Sequence, residues 1–125
     1  MTAQKAMGYL QQGSGRHGSD RPIDLVHLAK QTLGDRSLEN EVLQLFMTQS
    51  DIYMKRLESA NDDRQRFEAA HTIKGSARNI GAWGVADAAA HLEQAQEAEI
   101  QADVATLRLA LMETRSFIRS LLDES

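Results

Sequence analysis

Apolar residues recur at helical spacing in five stretches of the chain, and short polar segments separate them. The first stretch begins at Pro22, a residue suited to the first turn of a helix, and stops at Gly34, a natural helix end. Its apolar side consists of Ile23, Leu25, Val26, Leu28, Ala29 and Leu33. This spacing predicts a short first helix.

The second stretch predicts a long helix from an N-cap at Ser37 to about Ala60, with acidic residues in its first turn. Its heptad-like positions are Leu38, Val42, Leu45, Gln49 and Ile52, with Phe46, Tyr53 and Leu57 alongside. A turn at 61–63 then caps a third helix, which ends near Gly81. The apolar side of this third helix is predicted to contain Phe67, Ala70, Ile73, Ala77 and Ile80.

Two further helices complete the pattern. The fourth runs from about Trp83 to Glu97 and is rich in alanine, whose small side chain lets neighbouring helices approach closely. The last begins at Asp103 or its neighbours and keeps a 3,4 alternation to the end of the chain. The positions of that alternation are Val104, Leu107, Leu111, Thr114, Ile118 and Leu121.

Together these elements predict an all-α fold, an antiparallel up-down four-helix bundle with a short additional N-terminal helix that lies across or extends one end. The short segments and frequent turn signals argue against an extended coiled coil. We interpret residues 1–20 as a flexible N-terminal segment with a short helical turn from Thr2 to Gln12, and residues 21–125 as the bundle domain.

Composition narrows the class of protein. A chain of 125 residues forms one domain, and without cysteine it has neither disulfides nor thiolate metal sites. With 14 basic and 18 acidic residues, a nucleic-acid role has little electrostatic support. There is no apolar run of membrane-spanning length and no signal-peptide pattern, so we expect a cytoplasmic protein.

Two possible binding motifs, a glycine motif for dinucleotides and a histidine motif for zinc, have weak support in the sequence. The G-x-G-x-x-G at Gly13, Gly15 and Gly18 lacks the strand before it and the helix after it that dinucleotide binding requires, so we treat it as chance. His27 and His91 lack the partner spacing of a helical zinc motif. We therefore expect no metal site.

The chemistry-bearing stretch is 68–84, EAAHTIKGSARNIGAWG. On a helix, His71, Lys74, Gly75 and Arg78 share the outward side at i, i+3, i+4 and i+7. Glycine inside a helix costs about 1 kcal/mol relative to alanine, so its presence needs a reason, and the simplest is clearance for a partner that reaches His71. Lys74 supplies a cation that can stabilise a phosphoryl group or another anion.

The run HTIKGSA from His71 to Ala77, with NIGA at 79–82 and Leu92-Glu93 downstream, closely resembles the histidine-containing phosphotransfer (HPt) domain family of two-component phosphorelays. The resemblance covers roughly residues 23–122. It implies that His71 is the phosphorylated residue, that Lys74 supports the phosphoryl group electrostatically, and that Gly75 leaves room for the partner's active site. It further implies a phosphocarrier without ATP-dependent kinase activity, which relays a phosphoryl group between receiver-domain aspartates.

The resemblance also implies the partners, namely receiver domains of response regulators and of a hybrid histidine kinase. The receiver would bring Mg²⁺ and its own lysine, so we expect no cofactor in this chain, and we expect a monomer. The predicted docking surface surrounds Gly75 and includes part of the first helix; its other residues are Thr72, Ser76, Arg78 and Asn79. Arg78 either contacts an acidic rim of the receiver or is an ordinary solvated arginine.

One position departs from part of the family. Where some members have a glutamine that orients the imidazole, this chain has Glu93, twenty-two residues after His71. Its carboxylate could accept a hydrogen bond from Nδ1–H and fix the tautomer that leaves Nε2 as the nucleophile, or it could be a solvated surface acid. Both interpretations stay open at the level of sequence.

Two other functions remain as alternatives. One is a non-transferring, HPt-like adaptor bundle that binds receiver domains. The other is a histidine kinase dimerisation domain, although such hairpins normally carry an acid directly after the histidine and this chain has Thr72 there. Trp83, the only tryptophan, is expected to pack against the end of the bundle.

Overall fold

The computed structural model describes residues 21–123, and all regular structure in that range is helical. The helices are α1 (Leu25–Gln31), α2 (Arg36–Glu58), α3 (Asp63–Ile80), α4 (Trp83–Glu93) and α5 (Ile100–Asp123), with a 3₁₀ turn at Glu97–Glu99. The predicted all-α fold is confirmed. The flexible segment and helical turn predicted within residues 1–20 lie outside the described residues.

Helices α2 to α5 form the predicted four-helix bundle, and α1 is the additional N-terminal helix. Helix α2 packs against α3 and α5, and α4 packs against the same two helices on the other side. Alanines of α3 and α4 are buried where these two helices meet, which brings their backbones close together. The largest fully buried side chains are Ile23, Leu43, Ile73, Val85, Leu107 and Ile118, with Thr32 among them.

Helix boundaries differ from the prediction where two good capping residues compete. Asp35 caps α2 by accepting a hydrogen bond from the Leu38 amide at 3.1 Å, so the predicted N-cap at Ser37 is wrong. Ser37 lies inside the first turn instead. Helix α1 is capped by Asp24, so Pro22 precedes the helix rather than occupying its first turn.

The connection between α4 and α5 is also shifted. Helix α4 ends at Glu93 rather than Glu97, and α5 begins at Ile100, before the predicted Asp103. A capping box accounts for the early start: the Gln96 amide donates to Glu99 Oε1 at 2.9 Å, while the Gln96 side chain accepts from the Glu99 amide.

Three of the heptad-like positions predicted for α2 face outward, whereas Val42 packs against the core. Leu38, Leu45 and Ile52 are 39%, 53% and 44% exposed. The core side of α2 is a second, parallel set at almost the same spacing: Leu43, Phe46, Ser50, Met54 and Leu57. Two apolar stripes on one helix give the same periodicity, so only the neighbouring helices decide which one is buried.

Helix α1 meets the bundle at the turn between α3 and α4. The Asp24 amide donates to the Gly81 carbonyl at 2.9 Å, and Trp83 Nε1 donates to Asp24 Oδ2 at 3.1 Å. Trp83 also meets the His27 ring edge-on at 4.9 Å, in agreement with the predicted packing at the end of the bundle. Two residues predicted for the apolar side of α1, Val26 and Leu33, are exposed instead.

None of the helices within residues 21–123 combines the length and apolar character that crossing a membrane requires.

Candidate functional site

His71 lies near the middle of α3, on the side that faces solvent. The opposite side of α3 is buried through small and branched residues: Ala69, Ala70, Ile73, Ala77 and Ile80. Asp62 caps the helix by accepting from the Gln65 amide at 2.8 Å, and Gly81 ends it in the left-handed conformation. This packing leaves the His71 side chain 61% exposed.

Glu93, the last residue of α4, joins His71 to Lys74. Its Oε2 lies 2.8 Å from His71 Nδ1, and its Oε1 accepts a hydrogen bond from Lys74 Nζ at 2.7 Å. The Glu93 side chain is only 5% exposed and that of Lys74 15%. Of the two sequence-based interpretations, the solvated surface acid does not fit this burial.

The electrostatics of Glu93 determine which nitrogen of His71 is free. Burial raises the pKa of Glu93, but the hydrogen bonds from Lys74 and His71 and their charges outweigh it and leave that pKa below its ordinary value. Glu93 is therefore ionised at neutral pH and can only accept hydrogen bonds. In neutral His71 the proton then lies on Nδ1, and Nε2 carries the free electron pair.

Phe67 belongs to this site and not to the core, so its predicted place on the apolar side is wrong. It is 44% exposed, and its ring is stacked on that of His71, with 5.5 Å between centroids and 13° between planes. Residues four apart share a face of a helix, so position 67 could have been assigned to the His71 side from the sequence. Its spacing of three from Ala70 placed it with the core instead.

Gly75 has no packing role within the described part of the chain. It is exposed, and a Cβ added there would point into open space, with no contact within 4 Å. The helix thus carries an interior glycine that its own fold does not require. Of the predicted docking residues, Thr72 and Ser76 are half-buried, whereas Arg78 and Asn79 are exposed.

A groove of about 560 Å³ opens beside this surface, between the C-terminal end of α2 and α3. Thr72 and Glu68, which flank His71 in the helix, contribute to its wall. The remaining lining residues are Tyr53, Arg56, Ser59, Gln65 and Ala69. Residues 21–123 contain no group of three or more His, Asp or Glu side chains that could hold a metal ion.

Comparison with known protein families shows which family the chain belongs to. The family described as Hpt domain matches residues 41–124, which include His71, Lys74, Gly75 and Glu93 and more than half of the chain.

The chain belongs to the Hpt domain family.

The fold of this Hpt protein is similar to the crystal structure of the histidine phosphotransferase ShpA from Caulobacter crescentus. The TM-score is 0.69 and the identity 27%, with 82% of this chain and 92% of ShpA covered. The search of curated protein sequences gave no match. Family membership places the protein in phosphorelay signalling, where Hpt domains act as phosphocarriers rather than kinases and interact with receiver domains.

Proposed function

We propose that this Hpt protein relays a phosphoryl group through His71 between the receiver aspartates of a hybrid histidine kinase and a response regulator. The observation that carries the proposal is the different environment of the two nitrogens of the His71 imidazole. Nδ1 is held by the buried carboxylate of Glu93 at 2.8 Å, while the side chain is 61% exposed and leaves Nε2 free. An exposed nucleophile oriented by a buried acceptor suits transfer between large partners.

The transfer step follows from this geometry. The electron pair on Nε2 attacks the phosphorus of an aspartyl phosphate in line, and the P–O bond to the aspartate breaks as the N–P bond forms. The aspartate leaves with the electron pair of that bond. The proton on Nδ1 stays hydrogen-bonded to Glu93, whose negative charge stabilises the positive charge that develops on the ring. The reverse reaction delivers the group to a second receiver.

Lys74 contributes in two ways. Its ammonium group neutralises Glu93, which lowers the free-energy penalty of burying a carboxylate below the site. An ammonium group has three protons, and Glu93 accepts one, so the others remain for phosphoryl oxygens on His71. Both side chains meet one carboxylate, at 2.8 Å and 2.7 Å, which keeps the cation near the reacting nitrogen.

The remaining requirements for transfer, a contact surface and the groups that the receiver domain brings, are met when the receiver docks. The bare surface at Gly75 lets a receiver approach His71, and Thr72, Ser76, Arg78 and Asn79 form the surrounding contact surface, with the α2–α3 groove at its border. We expect the receiver to bring Mg²⁺ and its own lysine to the transferring group. No cofactor in the Hpt protein is needed for the step.

Phosphotransfer profiling tests the proposal. The protein is incubated with each phosphorylated receiver domain of the source organism and Mg²⁺. The wild type is expected to take up an acid-labile, base-stable label, and His71→Gln to take up none. Label on His71→Gln would refute the assignment, and receiver binding without any labelling of the wild type would support the adaptor instead.

A further inference from the structure

Phe67 is an exposed aromatic residue whose position the core does not explain. At 44% exposure it does not belong to the buried cluster that fills the bundle. A single exposed apolar side chain is ordinary and needs no function. The distinguishing observation is its ring, which lies nearly parallel to the imidazole of His71, at 13° and 5.5 Å between centroids.

Helix geometry explains why the His71 ring packs toward Phe67 and not toward Gly75. Side chains on an α-helix lean toward its N-terminus, so His71 leans over the turn that carries Phe67 and away from the turn that carries Gly75. One face of the imidazole is therefore partly covered by an aromatic ring. On the C-terminal side, position 75 has no side chain and the space is open.

The hydrogen bond to Glu93 cannot fix the ring by itself. A single contact at Nδ1 leaves the imidazole free to swing about the line that joins Nδ1 to the carboxylate oxygen. A flat contact on one face limits that freedom, because the ring can no longer tilt toward Phe67. An aromatic side chain without a donor or acceptor also cannot compete for either imidazole nitrogen.

We infer that Phe67 is a positioning residue for phosphoryl transfer, one that sets the plane of the His71 imidazole and with it the direction of the Nε2 electron pair, which lies in that plane. The inference rests on the proposed function of His71. The two residues then have different roles. Glu93 selects the tautomer of His71, and Phe67 sets the orientation of the ring.

The first test observes the ring in the unphosphorylated protein. Long-range ¹H–¹⁵N spectra of the imidazole are recorded for wild type, Phe67→Leu and Phe67→Tyr. Phe67→Leu keeps apolar bulk without a flat ring, and we expect it to broaden the His71 signals while the proton stays on Nδ1, because Glu93 is unchanged. Phe67→Tyr is expected to match the wild type. The control Leu109→Ala removes an apolar side chain that is 56% exposed on α5 and should change nothing.

The second test separates positioning from docking. With a phosphorylated receiver as donor, Phe67→Leu is expected to lower the maximal transfer rate about tenfold, as misorientation of a reacting group does, with the half-saturating receiver concentration unchanged. Phe67→Tyr should restore the rate. Thermal unfolding confirms that each variant is folded, since exchange of one exposed side chain changes stability little.

The outcomes separate this inference from the function on which it rests. Wild-type rate and wild-type imidazole spectra in Phe67→Leu would overturn the positioning role. A raised half-saturating concentration at an unchanged maximal rate would also overturn it, because Phe67 would then be a docking contact. Failure of wild-type protein to take up label would refute the proposed function instead, whatever the spectra of Phe67→Leu show.

Discussion

At the scale of single residues, Glu93 is the group on which the site depends. Its carboxylate is 5% exposed and accepts hydrogen bonds from two side chains of α3. Burial of a charge is unfavourable unless the charge is paired, and here Lys74 and His71 provide the pairing. The same contacts that permit burial of the carboxylate also determine the tautomer of His71.

Replacement of Glu93 by glutamine is expected to lower the free energy of unfolding by about 1 to 3 kcal/mol at neutral pH, because Lys74 loses its counter-charge in a half-buried position. The pKa of Glu93 is lowered in the folded protein, so its contribution is complete above the ordinary glutamate pKa and is lost as the pH falls through the folded value. The difference between wild type and Glu93→Gln should therefore shrink below about pH 4.

Urea unfolding between pH 3 and pH 7 measures this difference. Glu68→Gln is the control, because Glu68 forms only a surface ion pair with Arg64 and its side chain is 62% exposed. The free energy of unfolding of Glu68→Gln should change with pH in parallel with that of the wild type. A Glu93→Gln profile that is equally parallel would contradict the ionised, paired state of Glu93.

Gly75 offers a prediction in which stability and function move in opposite directions. Gly75→Ala places a methyl group in open space on a helix and is expected to raise the free energy of unfolding by up to about 1 kcal/mol. The same methyl group stands where a receiver must approach, so the half-saturating receiver concentration should rise. Gly75→Leu should raise it further.

The matched control is Gly84→Ala, since Gly84 also lies in a helix with nothing within 4 Å of an added Cβ. It should leave phosphotransfer unchanged. Unimpaired transfer by both Gly75→Ala and Gly75→Leu would show that the glycine provides no clearance.

At the scale of elements, periodicity identified every helix of the described chain but not always its buried side. In α2 two sets of apolar positions run side by side, and Leu38, Leu45 and Ile52 of the heptad-like set are exposed. In α3 the spacing of three residues between Phe67 and Ala70 led to the prediction that Phe67 is on the apolar side, but its ring stacks on that of His71. Helix ends followed cap geometry, which depends on backbone angles: Asp35 and Ser37 are equally good caps by composition, and only Asp35 has extended backbone angles.

Substitutions on the two sides of α2 are predicted to destabilise the protein by unequal amounts. Leu43→Ala is expected to lower the free energy of unfolding by about 2 to 5 kcal/mol, because Leu43 is buried and its removal leaves a cavity. Leu45→Ala, at a position that is 53% exposed, should cost less than about 1 kcal/mol. Urea denaturation of the two variants under one condition decides between the stripes, and a larger effect at Leu45 would reverse the assignment.

The junction of α1 with the α3–α4 turn depends on Gly81. Its φ is +80°, and a Cβ there would lie 3.0 Å from the Asp24 carbonyl oxygen. Gly81→Ala is therefore expected to destabilise the fold by about 1 to 3 kcal/mol and to change the fluorescence of Trp83, which bonds Asp24.

Gly34→Ala, in the connection between α1 and α2, is the control that separates backbone strain from steric contact. Gly34 also has a positive φ of +72°, but an added Cβ would meet nothing within 4 Å. Thermal unfolding should show a smaller loss for Gly34→Ala than for Gly81→Ala. Equal losses would mean that the close approach of α1 contributes nothing.

At the scale of the whole molecule, the bundle brings together residues that the sequence separates. His71 and Lys74 lie on α3, and Glu93 ends the neighbouring helix α4, so pairing of the two helices builds the site. The motif was sufficient to predict the family and the outward histidine, and the family assignment is confirmed. The Lys74–Glu93 ion pair and the stack of Phe67 were not predicted, because each depends on side-chain packing in the folded bundle.

We propose that His71 carries the phosphoryl group on Nε2 while Glu93 holds Nδ1. The most direct measurement is heteronuclear ¹H, ¹⁵N and ³¹P NMR of the protein after phosphorylation by a receiver domain. We expect one phosphohistidine, at His71, with phosphorus bonded to Nε2 and the proton retained on Nδ1. Phosphorus on Nδ1, or on any other residue, would contradict it.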